Sequence, residues 1–261
     1  TWVMTIPAGV AEGPASVQVI AGDIAGNQRT LSSASVLTLD PNGPVFSGVT
    51  ATPAMGRAST AIVIKAVITD LSGVSGNPSL KINGVSAVYA GLSGGLHAWN
   101  YTIGGAAAEG MAEFLFSAND PLGNNGTATV SGALMIDRTV PAIAAIQASP
   151  NVAKAGDIVR VSFTATDALT GVFGNPSVSV NGNSATFQSN TGSQYEYRYT
   201  VRTTDADGYA NILVSARDTV GNLAPAAGPS ALVTVLPLDS DGDGISDYEE
   251  GTEDADHDGL P

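Results

Sequence analysis

The residues of this 261-residue chain that could do chemistry crowd into its last two dozen positions. The run Asp239 to Glu250, DSDGDGISDYEE, fills every ligand position of a twelve-residue calcium loop: Asp239, Asp241 and Asp243 at positions 1, 3 and 5, Asp247 at 9 and Glu250 at 12. Calcium takes six to eight oxygen ligands at about 2.3 to 2.6 Å, so these carboxylates converge only if the backbone curls tightly around the ion. Gly244 at position 6 permits that curl, having no Cβ to oppose it. The carbonyl of Ile245 supplies position 7, and Glu250 closes the shell with both oxygens. Without the ion the loop works against itself, because two carboxylates about 4 Å apart repel by roughly 4 kcal/mol at an effective dielectric near 20. The competing reading is a solvated acidic tail. Such a tail has no need of glycine at position 6 or an acid at position 12.

A calcium loop of the EF-hand kind sits between two helices, and neither is predicted here. Upstream, Ala231 to Leu238 reads as a β-strand closed by Pro237; downstream, Gly251 and Thr252 interrupt any helix. A second loop starts at Asp254 and continues through Asp256, Asp258 and Gly259. Head-to-tail loops of this form, over Asp239 to Pro261, resemble thrombospondin type 3 repeats and the related calcium linkers of bacterial surface proteins. The resemblance implies calcium as the ion and a mechanical role.

Of the 24 acidic residues ten lie between Asp239 and Asp258, with no Lys or Arg among them, so the rest of the chain sets 14 acids against 10 bases. A body so sparsely charged, with an overall charge of −14, argues against nucleic acid or an anionic membrane as partner. There is no cysteine, which excludes disulfides, thiol catalysis and cysteine zinc sites. No apolar stretch approaches the roughly 20 residues that span a bilayer, so membrane insertion of this fragment is not expected. The opening TWVMTIPAG carries neither an initiator methionine nor a signal peptide, which suggests a piece of something longer. These features together suit an extracellular or cell-surface location.

The elements that must position the loops are strands, because Gly and Pro are abundant and helix-period patterns are nearly absent. Self-comparison shows that these strands repeat. Gly73 to Ala87, GVSGNPSLKINGVSA, recurs at Gly171 to Ala185 as GVFGNPSVSVNGNSA. SANDPLGN at Ser117 to Asn124 recurs as SARDTVGN at Ser215 to Asn222, and an earlier copy, AGDIAGN, sits at Ala21 to Asn27. The linker LDPNGP at Leu39 to Pro44 matches IDRTVP at Ile136 to Pro141. Alternation such as Val159, Val161, Phe163 and Ala165 against Arg160, Ser162 and Thr164 predicts half-buried strands. Each such buried side chain is worth roughly 1.5 to 3 kcal/mol. Asn83-Gly84 and Asn181-Gly182 predict tight hairpin turns.

About seven strands are expected per repeat, near Ile143, Val159, Val178, Ala185, Tyr197, Ile212 and Val233 in the last copy, which fits an all-β sandwich. On the Asp–Pro linker and the D-x-x-G-N hairpin, residues 1 to about 236 resemble the tandem immunoglobulin-like repeats of large bacterial surface proteins. The expected organisation is the C-terminal part of one module over 1–40, modules over 41–138 and 139–237, and calcium loops over 238–261. About three strands are expected in the first part, between Trp2 and Val36, leaving an open core. Upstream residues would complete it, or a neighbouring subunit would donate the missing strands, as in a filament.

A second set of acids follows from the strand assignment. Asp137, Asp167 and Asp218, with Glu109 from the preceding module, are expected at one module junction, and Glu12, Asp40, Asp70 and Asp120 at the junction before it. Two readings stay open: calcium held between modules, or aspartates that simply bond the amides of their own turns. Trp2, Trp99 and Tyr197 occupy equivalent places and are expected in cores rather than on a sugar-binding stripe. His97 is expected at a surface or strand edge, and His257 at a non-ligand position of the second loop.

No G-x-S-x-G, phosphate loop or H-E-x-x-H occurs, so the chain is not read as an enzyme. The leading reading is a structural or adhesive stalk region of an extracellular bacterial protein, its partners being neighbouring modules of the same longer chain and a cell-surface or glycan ligand. The alternatives are a filament subunit that partners identical copies, and an accessory or carbohydrate-binding region of a secreted hydrolase.

Overall fold

The structure, a computed structural model, describes residues 1–7, 9–228 and 230–237. No helix occurs among them, so none is long and apolar enough to cross a membrane. The chain divides into two compact units, Thr1–Ile136 and Asp137–Pro261.

The first unit begins with residues 1–7, which carry no regular structure, followed by a two-stranded sheet of β1 (Gly13–Gly22) and β2 (Gln28–Leu39). This is one strand fewer than the sequence suggests. Among the described residues near the start Trp2, Val3 and Met4 are exposed, Trp2 by 96% rather than lying in a core.

The same unit then builds a two-sheet sandwich. One sheet has the order β3 (Val45–Thr52), β5 (Ala61–Thr69), β9 (Leu96–Thr102), β8 (Val88–Ser93). The other runs β4 (Met55–Gly56), β11 (Asn125–Ile136), β10 (Gly110–Asn119), β6 (Ser75–Ile82), β7 (Val85–Ser86). Alternate residues of each strand point inward, as the period of two requires. Ile62, Ile64, Trp99, Phe114, Phe116, Leu134 and Ile136 meet in one core. Trp99 is sealed, and its indole N–H donates to the Pro78 carbonyl at 3.0 Å, so that burial leaves no polar group unpaired. His97 lies within β9, flanked on both sides by strands, and is buried against Tyr89 Oη at 2.8 Å. The edge position expected from sequence fails because β8 pairs outside β9. Burial of the imidazole holds its pKa below the usual histidine value.

The second unit repeats the design. Its sheets are β12 (Ala142–Ser149), β14 (Ile158–Thr166), β18 (Gln194–Thr200), β17 (Thr186–Thr191), and β13 (Val152–Ala153), β20 (Ser230–Val235), β19 (Gly208–Ser215), β15 (Ser177–Val180), β16 (Asn183–Ser184). Seven of these strands are longer than two residues, at the seven places the sequence marks. Val159, Val161, Phe163, Tyr195, Tyr197, Tyr199 and Ile212 fill the core. Asn83 and Gly84 in one sandwich, and Asn181 and Gly182 in the other, all adopt positive φ, which matches the right-handed twist of the strands they join.

The β1–β2 ladder has the register of β10–β11 displaced along the sequence. Gly13↔Leu39, Val17↔Ser33 and Gly22↔Gln28 correspond to Gly110↔Ile136, Phe114↔Val130 and Asn119↔Asn125. Val17 is nonetheless 48% exposed where Phe114 is 0% exposed. In this hairpin the second sheet of the sandwich is missing from above the apolar face.

Candidate metal centres

The D-x-x-G-N turn organises each centre. Asp120 sits at the end of β10, and its backbone N–H donates to the Asn124 carbonyl at 3.0 Å, closing the hairpin. Asn124 then returns two bonds to the carboxylate: its N–H to Oδ1 at 2.8 Å and its side-chain amide to Oδ2 at 2.6 Å. The same amide also donates to the main-chain carbonyl of Asp40 at 2.8 Å, which fixes the entering linker against the hairpin. Ser72 joins the third acid. Its N–H donates to Asp40 Oδ2 at 3.0 Å and to Asp70 Oδ1 at 2.9 Å, and its hydroxyl to Asp70 Oδ1 at 3.0 Å.

Asp40, Asp70 and Asp120 thereby each place a carboxylate oxygen within 4.8 Å of the other two. Burial alone would raise the Asp120 pKa, yet the bonds from the Asn124 side chain and the amides of its turn outweigh it and hold the group ionised below the usual range. Asp120 is 2% exposed, so this negative charge is kept almost out of water.

The second unit holds the sister centre of Asp137, Asp167 and Asp218, within the same 4.8 Å. Asn222 donates its N–H to Asp218 Oδ1 at 2.8 Å and its side-chain amide to Asp218 Oδ2 at 2.6 Å. Thr170 Oγ1 donates to Asp137 Oδ2 at 2.6 Å, and the N–H groups of Thr170 and Gly171 donate to Asp167 Oδ1 at 2.9 and 2.8 Å. Asp137 and Asp218 are 0% and 1% exposed.

Three of the four acids expected at each junction thus converge, and the turn bonds of the competing reading are present too. The two are compatible, since each carboxylate oxygen has a second lone pair. Three hard oxygen donors converging in a partly buried place, with their charges uncancelled by one another, fit a divalent cation of the calcium kind. Glu12 is not one of the converging acids; its Oε2 accepts from the Asn42 side-chain amide at 2.6 Å. Glu109 belongs to the first unit and Asp137, Asp167 and Asp218 to the second. Asp23 has the same turn, with Asn27 N–H and side-chain amide on its two oxygens at 2.9 and 2.8 Å, in the hairpin that lacks the rest of its sandwich. Asp239, Asp241, Asp243, Ile245, Asp247 and Glu250, and Asp254, Asp256 and Asp258 of the second loop, lie outside the described residues.

No protein-family model matches the sequence, and no curated protein sequence does. Solved structures do match. A Ca2+-stabilized adhesin that helps an Antarctic bacterium reach out and bind ice is 20% identical over 84% of this chain and 56% of its own, with a TM-score of 0.50. The fold is immunoglobulin-like. A bacterial ice-binding adhesin of 1.5 MDa is 19% identical over 84% of this chain and 73% of its own, TM-score 0.47. The I-band fragment I67–I69 of titin is 11% identical over 74% of this chain and 65% of its own, TM-score 0.44. This chain therefore spans a little over half of the Antarctic adhesin structure that it matches. Within the immunoglobulin-like architecture, each three-aspartate centre is assembled from the linker entering a sandwich and two loops at that end of it.

Proposed function

We propose that the chain is a structural, adhesive stalk region of a large extracellular bacterial protein, in which calcium orders the immunoglobulin-like modules and the C-terminal linker. The observation that supports this most is the recurrence of one centre, Asp40–Asp70–Asp120 and Asp137–Asp167–Asp218, at the same place in two copies of one sandwich. Catalytic centres need not recur along a chain, whereas a device that stiffens repeats must do so at every repeat. The Antarctic adhesin of like fold is described as calcium-stabilized, which agrees with this reading. Calcium at Asp239, Asp241, Asp243, Ile245, Asp247 and Glu250 completes it at the C-terminal side, with Asp254, Asp256 and Asp258 as the start of a second loop. The modules run over 41–138 and 139–237, and 1–40 is the end of a preceding one.

Thermal unfolding of the chain in EDTA and in millimolar calcium tests the reading. Calcium raises the midpoint, and Asp120→Asn with Asp218→Asn together remove most of the rise. Equal midpoints with and without calcium refute it.

A filament subunit is the second reading, favoured by the bare apolar face of β1–β2, where Val17, Val19 and Leu37 are about half exposed. A neighbouring chain would supply the missing sheet. Light scattering decides: a concentration-dependent polymer supports it, and a monomer at all concentrations removes it.

A further inference from the structure

The outer face of the sheet β12–β14–β18–β17 carries a pairing that folding alone does not favour. Arg160 of β14 and Arg198 of β18 are direct cross-strand partners. Like charges directly opposite in a sheet are destabilising. Glu196 on the same face reaches Arg160 Nη1 at 3.6 Å but gives Arg198 no such contact. The Arg198 Nε is buried and has no hydrogen-bond partner. Arg202 joins Arg198 in lining one depression, its guanidinium held by Asn183 Oδ1 at 2.8 Å and set 5.9 Å from the centre of the Tyr199 ring. Three of the chain's ten basic residues thus gather on one part of a protein whose net charge is −14. The repeat makes the pattern specific to this module, since Val63, Asn100 and Gly104 stand at the equivalent positions of the first sandwich.

The surroundings are those of an extended polar ligand. The Arg160–Arg198 pair continues into a row across the sheet, Ser149–Arg160–Arg198–Thr186. One shallow depression of about 400 Å³ lies against Arg160, with Gln147, Ser162 and Glu196, the ion-pair partner of Arg160, in its wall, and another of about 430 Å³ lies against Arg198, with Gln188 and Thr200. Guanidinium forks match carboxylates in two-point geometry, and hydroxyl and amide side chains suit sugar hydroxyls. A duplex nucleic acid is disfavoured by the overall negative charge.

We infer that this face binds a carboxylate-bearing polysaccharide, a polyuronate, which lies across β14 and β18 with its carboxylates on Arg160 and Arg198 and its hydroxyls in the two flanking depressions. The site gives the stalk a glycan contact of its own and does not depend on the calcium centres.

Calorimetry of the whole chain with hexagalacturonate at low salt tests the inference, once in EDTA and once with calcium. Binding is expected in both buffers, and it falls as salt is raised. Arg198→Gln and the surface substitution Arg160→Gln each weaken it by at least about tenfold. Arg217→Gln leaves it unchanged, because Arg217 sits over the Phe173 ring and lines neither depression. Maltohexaose, which has no carboxylate, does not bind. Absence of hexagalacturonate binding, insensitivity to both Arg160→Gln and Arg198→Gln, or binding only in calcium overturns the inference, as does equally tight, Arg198-dependent binding of a polyglutamate or a DNA duplex. None of these outcomes bears on the calcium-dependent rise in melting temperature, so the two readings fail separately.

Discussion

The Asn222 side-chain amide donates to the main-chain carbonyl of Asp137 at 3.0 Å, across a sequence separation of 85 residues. The equivalent bond in the first unit, Asn124 to the Asp40 carbonyl, spans 84. Each asparagine ties the segment entering its sandwich to the last hairpin of the same sandwich, so one side chain both closes a turn and holds two aspartates of the centre together. Asn222→Ala leaves the Asp137 carbonyl and the Asp218 carboxylate short of donors in a buried place. A loss of about 1 to 3 kcal/mol is expected. Calorimetric or chemical unfolding of the substituted chain measures it, with a fall of roughly 4 to 8 °C per kcal/mol in the transition of the second unit.

Calcium affinity should separate the two kinds of site. The loop at Asp239 is expected to bind with a dissociation constant of about 10⁻⁴ to 10⁻³ M, the range of extracellular modules. Glu250→Ala removes a ligand that offers both oxygens, so calorimetry should record the loss of that binding event while the calcium-dependent rise in melting temperature of the sandwiches persists. Asp120→Asn combined with Asp218→Asn should do the reverse.

The two tryptophans should report separately. Trp2 is open to water and Trp99 is sealed with its N–H on the Pro78 carbonyl. Iodide is expected to quench only one class of tryptophan emission, and Trp2→Phe abolishes that class without changing stability. Trp99→Phe leaves the carbonyl unpaired and removes ring volume; Trp99→Ala costs about 3 to 5 kcal/mol.

Alkaline pH should weaken the second unit. Burial, with the charge of Tyr195 beside it, raises the pKa of Tyr197 to about 12. Burial and the bonds to Asp205 raise that of Tyr199 to about 12. A phenol whose pKa rises on folding lends stability that is complete below its unfolded value near 10 and is lost as pH climbs toward 12. Spectrophotometric titration should therefore show these two tyrosines ionising late and together with unfolding. Tyr199→Phe, which deprives Asp205 of a donor, lowers stability at neutral pH and flattens the alkaline loss.

Much of this architecture is legible along the chain because it depends on neighbours in sequence. The period-two alternation over Ile158–Thr166 gives a strand with Val159, Val161 and Phe163 inward. Asn-Gly at 83–84 and 181–182 gives hairpin turns, since few residue pairs tolerate two positive φ values in succession. The aspartates of each centre are legible for a similar reason: the D-x-x-G-N turn and the Asp–Pro linker repeat together, so their ends of the sandwich can be matched. Trp2 and His97 were less legible. Trp2 has the right spacing for a core position but no opposing sheet, and His97 is buried by β8, a strand whose pairing depends on a register set elsewhere.

By itself, then, the amino-acid sequence determines the strands, the turns, the repeat and the acids at its joints, all of which follow from residue type and short-range periodicity. Only the tertiary structure decides that Glu12 stays out of the centre of Asp40, Asp70 and Asp120, that Val17 is bare where Phe114 is sealed, and that Arg160 meets Arg198. For Val17 the physical reason is the sheet that is or is not packed above it, since its ladder has the register of that of Phe114; for Arg160 and Arg198 it is pairing register. A slip of one residue turns every side chain to the opposite face, and that choice is made by the packing of distant strands.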